Sequence, residues 1–250
     1  MKRLYASLAL AGMVSVPGLA AADGSPLTGN IGVTTDYIFR GVSQSQHEPA
    51  IQGGFDYTHA SGLYVGTWLS NVSWVNTGGY KTNNSLEWDL YGGYRGSLPA
   101  DVGYDVGVIH YEYPGNSVAG IATPDTTEAY AGLSWKILSL KYSYVVSDYF
   151  VGWTGAANAK TRGTDYIEAA INYDLGSGWG VLAHVGHQSV KHDDINRASY
   201  TDWKLGLSKD VGFGTVGLAY TDTDANTAAY TWGGKKVADG RLALSFTKSF

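Results

Sequence analysis

One pattern recurs along the chain from residue 29 to residue 250: apolar residues alternate with small or polar ones for about ten residues at a time. In "SLEWDLYGGY", Leu86, Trp88, Leu90 and Tyr94 alternate with Glu87, Asp89 and Tyr91. In "SLKYSYVVS", Leu140, Tyr142, Tyr144 and Val146 alternate with Lys141 and Ser143. Successive side chains of a strand point to opposite faces, so period two marks strands with one greasy and one polar face. Twelve such segments are readable, near 29–40, 50–58, 63–71, 85–95, 102–112, 126–135, 139–148, 165–174, 179–188, 200–208, 213–221 and 240–250.

The joints between segments alternate in length. "GVSQSQHE", "NVSWVNTGGYKTNN", "YPGNSVAGIATPDT", "YFVGWTGAANAKTRG", "QSVKHDDINRAS" and "TDTDANTAAYTWGGKKVAD" are long and polar, whereas "HASG", "GSLPAD", "KIL", "LGSG" and "KDVG" are tight. Long loops on one side, short turns on the other and strands of bilayer-crossing length describe an antiparallel up-and-down transmembrane β-barrel of twelve strands. A soluble β-sandwich would also alternate, but it explains neither the loop asymmetry nor the aromatics Tyr57, Tyr94, Tyr104, Trp135, Tyr173 and Trp179 beside the short turns. Those rings form the girdle expected at a membrane–water interface.

Composition agrees. The chain has 34 Gly, 19 Tyr and 8 Trp but 6 Pro and 2 Met, a balance that favours pleated strands over helices. The first 22 residues stand apart: Lys2 and Arg3 precede an apolar run and the small-residue site Ala20-Ala21-Ala22. That run is shorter than the ~20 residues of a spanning helix and reads as a secretory signal peptide, leaving 23–250 as the barrel domain. Removing two of the 17 Lys+Arg and none of the 22 Asp+Glu gives a charge of −7, which argues against a nucleic-acid partner. An exported chain without cysteine has no disulfide framework and needs a closed hydrogen-bond ladder or a large core.

The last ten residues, "RLALSFTKSF", keep alternating up to Phe250. In lipid an unpaired strand edge is costly, so this strand is expected to close on the first. A terminal Phe after alternating apolar residues also resembles the signal read by the outer-membrane assembly machinery. Lys248 breaks the alternation and is expected to snorkel to water at the rim.

"TTDYIFRGVSQS", followed by "GLYVGTWLSNV" and "YGGYRG", resembles the TorF family of proteobacterial outer-membrane porins over nearly the whole of 23–250. The resemblance implies a porin-type barrel in the bacterial outer membrane, surrounded by its lipids, and leaves the cargo undefined.

Function is then a question about the polar faces. They carry Asp36, Glu87, Asp89, Asp105, Glu128, Glu168 and Asp202 against Arg40, Arg95, Lys141, Lys204 and Arg241, with Tyr91 and His184 alongside. Twelve strands enclose a lumen between the side-chain-filled eight-strand barrel and the open sixteen-strand porin. A mixed lining either orients a polar solute at a constriction or neutralises itself in pairs, since enclosed charges must be paired or hydrated. Asp36 and Arg40, four apart on one face of the first strand, head the pore-lining set. Acidic oligosaccharides would call for a mostly basic lumen, which this is not.

The expected function is passive diffusion of small hydrophilic solutes through a narrow, mixed-charge pore, with no cofactor. The rival is a non-conducting surface or scaffold barrel whose loops, carrying Trp74, Trp153, Tyr230 and Trp232, bind a partner. No enzyme is expected: none of His47, His59, His110, His184, His187 and His192 belongs to a nucleophile signature. "GFGTVG" at 212–217 lacks the helix a dinucleotide site requires, and "DTDAN" at 222–226 has Thr227 and Gly233 where a calcium loop needs Gly and Glu. "HQSVKHDD" at 187–194 reads as a solvated outer loop rather than a metal site.

Overall fold

The computed structural model describes residues 25–250; the segment 1–22, expected from the sequence to be a signal peptide, lies outside the described residues. Twelve strands form a closed antiparallel barrel. They are β1 (Leu27–Thr34), β2 (Ala50–Thr58), β3 (Leu63–Asn71), β4 (Leu86–Leu98), β5 (Val102–Glu112), β6 (Thr126–Trp135), β7 (Leu138–Val145), β8 (Asp165–Gly176), β9 (Trp179–Ser189), β10 (Tyr200–Asp210), β11 (Thr215–Thr223) and β12 (Arg241–Ser249). Each pairs with its sequence neighbours, and β12 pairs with β1. The short joints are tight turns: β8 passes to β9 through Ser177 and Gly178, at φ 53° and 77°, the left-handed pair that matches strand twist in a two-residue hairpin.

The seam is finished to Phe250. Asn30 pairs with Ser249 and Thr34 with Ser245, and beyond them Gly29 and Phe250 exchange both backbone hydrogen bonds, at 2.8 and 2.9 Å. The Phe250 ring meets Phe55 edge-on at 6.2 Å and lies across Gly29, where a Cβ would stand 2.6 Å from the ring. A side chain at position 29 would therefore push the closing ring off the seam. Lys248 lies opposite Ile31, on the outer face near this rim.

Alternation carries through to burial. The outer face exposes Ile31, Ile51, Val65, Val185, Leu205 and Leu244, and no helix among the described residues is long and apolar enough to cross a membrane. This apolar outside has one sink, lipid. Tyr57, Tyr94, Trp135, Tyr173 and Trp179 ring the short-turn rim on the outside, Tyr104 stacks on Tyr94 there, and Trp88, Tyr144, Trp203 and Tyr220 stand outward toward the long-loop end. Rings that are half wet favour both interfaces.

The first segment departs from expectation. Alternation to residue 40 predicts a strand over 29–40, yet β1 stops at Thr34. Tyr37 and Phe39, expected toward lipid, turn inside: Tyr37 is 2% exposed, and the chain folds back through a small hairpin pairing Ile38–Phe39 with Val42–Ser43. Apolar residues alternate equally well when they face a lumen lined by aromatic rings.

An arginine placed on the lipid face midway along β10 measures the assignment of inside and outside. Leu205→Arg is expected to destabilise the barrel in bilayers by about 2–4 kcal/mol, read from denaturant unfolding in vesicles, whereas Gly206→Ser on the inner face is expected to cost under half of that.

Candidate functional site in the barrel lumen

Inside the barrel the strand register stacks side chains in rows. One row runs Asp202, Gly186, Glu168, Lys141, Gly132, Asp105, Arg95 across β10 to β4. The row nearer the long loops runs Gln188, Tyr166, Ser143, Tyr130, Gly107, Gly93, Tyr64. Glycines in these rows have a specific use. Tyr64 lies across Gly93 and Tyr130 across Gly107, where an added Cβ would stand 2.6 Å from the phenol oxygen in each case, and Tyr166 covers Gly186 in the same way. Flattened rings thus pave the wall, each lying in the space a side chain at the glycine beside it would take.

The rings also bind the charges. Tyr64 donates to Asp105 at 2.6 Å and is hydrogen-bonded to Tyr130, while Tyr166 donates to Asp202 at 2.7 Å and Tyr91 to Asp56 at 2.7 Å. The Arg95 guanidinium stacks 4.0 Å above Tyr64, and the Lys141 ammonium lies 4.3 Å from the centre of Tyr130. His184 bridges two carboxylates, with Nε2 3.1 Å from Glu168 and Nδ1 3.4 Å from Asp202. Among the described residues, Arg95, Lys141 and Lys204 have no carboxylate within ion-pair distance.

Above these rows the bore is crossed by the segment between β1 and β2. Arg40 and Gly41, at φ 46° and 78°, form the tip of its hairpin, and a Cβ on Gly41 would stand 2.7 Å from Asp202. Arg40 reaches the opposite wall, donating to both oxygens of Glu128 at 2.9 and 2.7 Å and to Gln188 at 2.9 Å, with its guanidinium 4.2 Å over Tyr166. A planar bidentate clamp of this kind is specific to arginine. Asp36 holds the hairpin's base: it accepts from Ser43 at 2.5 Å and Ser45 at 3.1 Å and lies near His47 (3.1 Å) and Arg241 (3.4 Å). Tyr37 donates to Glu87 at 2.6 Å and Tyr113 to the same carboxylate at 2.9 Å.

The long loops close over this hairpin. Trp74 meets Tyr113 at 5.1 Å, Tyr80 at 5.6 Å and Trp232 at 5.7 Å, and Tyr230 continues the chain of rings to Trp232, Trp153 and Tyr200. Trp74 is 2% exposed and Tyr230 4%, so these rings pack loop on loop. Burial pushes the Tyr80 hydroxyl up, while hydrogen bonds from Lys160 and Arg162 hold the exposed Asp148 below the usual carboxylate range. Of the segment 187–194, expected as an outer loop, His187, Gln188 and Ser189 belong to β9, and in the loop beyond them Asp193 accepts from the Ala198 and Ser199 amides and so shapes a turn.

Glu87, Asp89, Tyr91, Arg95, Asp105, Glu128, Lys141, Glu168, His184, Asp202, Lys204 and Arg241 thus occupy inward positions on the strands. Asp36 and Arg40 are also inside, but on the hairpin rather than on β1, so their four-residue spacing is not a shared strand face. Their partners Ser43, Ser45, His47 and Gln188 were not singled out in the sequence, nor were the wall rings Tyr64, Tyr130 and Tyr166. Length gives no signal for the hairpin, since a strand over 29–40 would be no longer than β4 or β8, with 13 and 12 residues.

A closed ladder with an apolar, aromatic-belted outside and a charged inside is an integral β-barrel of the outer-membrane porin architecture. The chain belongs to the Gcw_chp family, described as bacterial proteins of unknown function, whose model matches residues 19–250. No curated protein matches the sequence significantly. Among solved structures it is similar in fold to the NanC porin (TM-score 0.58, 13% identity, covering 90% of this chain and 98% of that one). It is likewise similar to the KdgM porin (TM-score 0.54, 8% identity, covering 89% and 99%).

The Arg40 clamp has a measurable weight. Arg40→Gln, which strands Glu128 in a buried position, is expected to lower stability by about 3 kcal/mol. Arg40→Gln combined with Glu128→Gln should recover part of that loss, so thermal melts of the four proteins in micelles should give a coupling of at least about 1 kcal/mol.

Proposed function

We propose that this protein is a TorF-type porin of the bacterial outer membrane, exported on its signal peptide and passing small hydrophilic solutes by diffusion. The observation that carries the reading is the set of lumen charges left without ion partners. A lumen built only as a filled core would neutralise its interior, because an unpaired buried charge is costly. Arg95 and Lys141 instead rest on tyrosine faces, where the charge stays available to a passing group. Asp36, Glu87, Asp105, Glu168, Asp202 and Arg241 complete the lining, and the Arg40 hairpin narrows its upper end. Selection follows from width and charge, with no cofactor and no catalytic group.

One solved KdgM porin structure holds a disordered oligogalacturonate. The mixed lining here fits a different cargo, since its main row holds three acids, Asp202, Glu168 and Asp105, and two bases, Lys141 and Arg95. Phe250, seated against Gly29 and Phe55, is the feature offered to the assembly machinery. The covered mouth favours the rival, a closed scaffold barrel. In that reading the buried Trp74 and Tyr230 serve loop packing, which leaves Trp153 and Trp232 as the half-buried rings open to a partner.

Conductance decides between them. Residues 23–250, refolded into planar bilayers, are expected to give small discrete steps, and replacing the hairpin 36–45 by a glycine linker should enlarge them severalfold. Lys141→Gln with Lys204→Gln should shift the reversal potential under a salt gradient toward cation selectivity. A folded, heat-modifiable barrel that stays silent even without the hairpin would overturn the porin reading.

A further inference from the structure

Glu87 is satisfied by two tyrosine hydroxyls and Glu128 by Arg40, but a third carboxylate of the same region is not. Asp89 is 6% exposed, and its Oδ1 is buried with no hydrogen-bond partner among the described residues. Its surroundings are aromatic. Trp68 on β3 and Tyr111 on β5 are its register neighbours on either side, which places their side chains directly beside its own. The hairpin adds a ring against each: Tyr37 packs edge-on to Trp68 at 5.4 Å, and Phe39 edge-on to Tyr111 at 5.7 Å. Trp68 and Phe39 are only half-buried, so the enclosure stays open toward the bore.

We propose that Asp89, walled by Trp68, Tyr111, Tyr37 and Phe39, is a binding site for an organic ammonium group. A buried carboxylate without a donor lacks one positive partner, and aromatic faces attract weakly hydrated cations. Glu87 and Glu128 lie within electrostatic reach of Asp89, and the Arg40 guanidinium, 4.8 Å over the Phe39 ring, is already committed to Glu128, which leaves Trp68, Tyr111 and Tyr37 as the rings open to a second cation. A hard metal ion is a poor match: calcium or magnesium takes six or more oxygens, and here the walls are rings. The inference gives the porin reading a solute class, amine-bearing molecules whose ammonium pauses at Asp89 while Arg95 and Lys141 stand below for an anionic end. It rests on that reading for its purpose, and its test is equilibrium binding, which does not need a conducting channel.

The test is proton NMR saturation transfer and calorimetric titration of the refolded barrel in micelles, with tetramethylammonium as probe and the neutral isostere tert-butanol as control. The expected result is saturable binding of tetramethylammonium and none of tert-butanol, weakened about tenfold or more by Asp89→Asn and to a smaller extent by Trp68→Leu. Asp89→Asn removes an unpartnered charge, so the variant should remain heat-modifiable and melt no lower than the parent. Equal binding of the two probes, no binding by the parent, or unchanged binding in Asp89→Asn would each overturn the proposal. A silent channel that still binds tetramethylammonium through Asp89 would sink the porin reading alone.

Discussion

Backbone hydrogen bonding in a solvent that offers none governs this structure. In hydrocarbon every strand amide and carbonyl must find a partner, which admits only a closed sheet. The closing step is the pairing of β12 with β1, extended by the Gly29–Phe250 exchange and covered by the Phe250 ring. Once the ladder is shut, even-numbered antiparallel strands bring its two ends to one rim and the long loops to the other. The polar faces then turn inward because lipid takes the apolar ones.

Turning polar faces inward creates a second problem, the company of many charges in a narrow bore. The protein meets it with tyrosines laid over glycines, whose hydroxyls hold Asp105 and Asp202 and whose faces carry Arg95 and Lys141. At the upper end it uses a hairpin. Arg40 crosses to Glu128 and Gln188, and Asp36 ties the hairpin base to Ser43 and Ser45. The mouth owes its shape to these two side chains, since the tip of the hairpin is fastened to the far wall by one guanidinium.

The barrel was legible because its signals are local. Glu87, Asp89 and Tyr91 opposite Trp88 and Leu90 declare two faces with no reference to the rest of the chain, and "KIL" or "LGSG" declares a tight turn in a few residues. The hairpin was not legible in this way. Tyr37 and Phe39 alternate with Asp36 and Ile38 as a lipid-facing strand would, and what turns them inside is a set of partners far along the chain, such as Gln188, 148 residues from Arg40. The partnership of Tyr130 with Gly107, or of Tyr166 with Gly186, likewise depends on register between strands, which spacing within one strand does not encode.

By itself, then, the sequence determined an antiparallel barrel of twelve strands, which rim carries the loops, and, within the strands themselves, which residues face lipid. Each of these follows from period-two patterning and turn chemistry read over about ten residues. Only the tertiary structure decided which inward charges are spent on one another and which remain free. Arg40 is consumed by Glu128, whereas Arg95, Lys141 and Asp89 are left facing rings. The physical reason is that an ion pair is a matter of a few ångströms across the bore, and that distance is set by barrel closure and strand stagger rather than by any spacing along the chain.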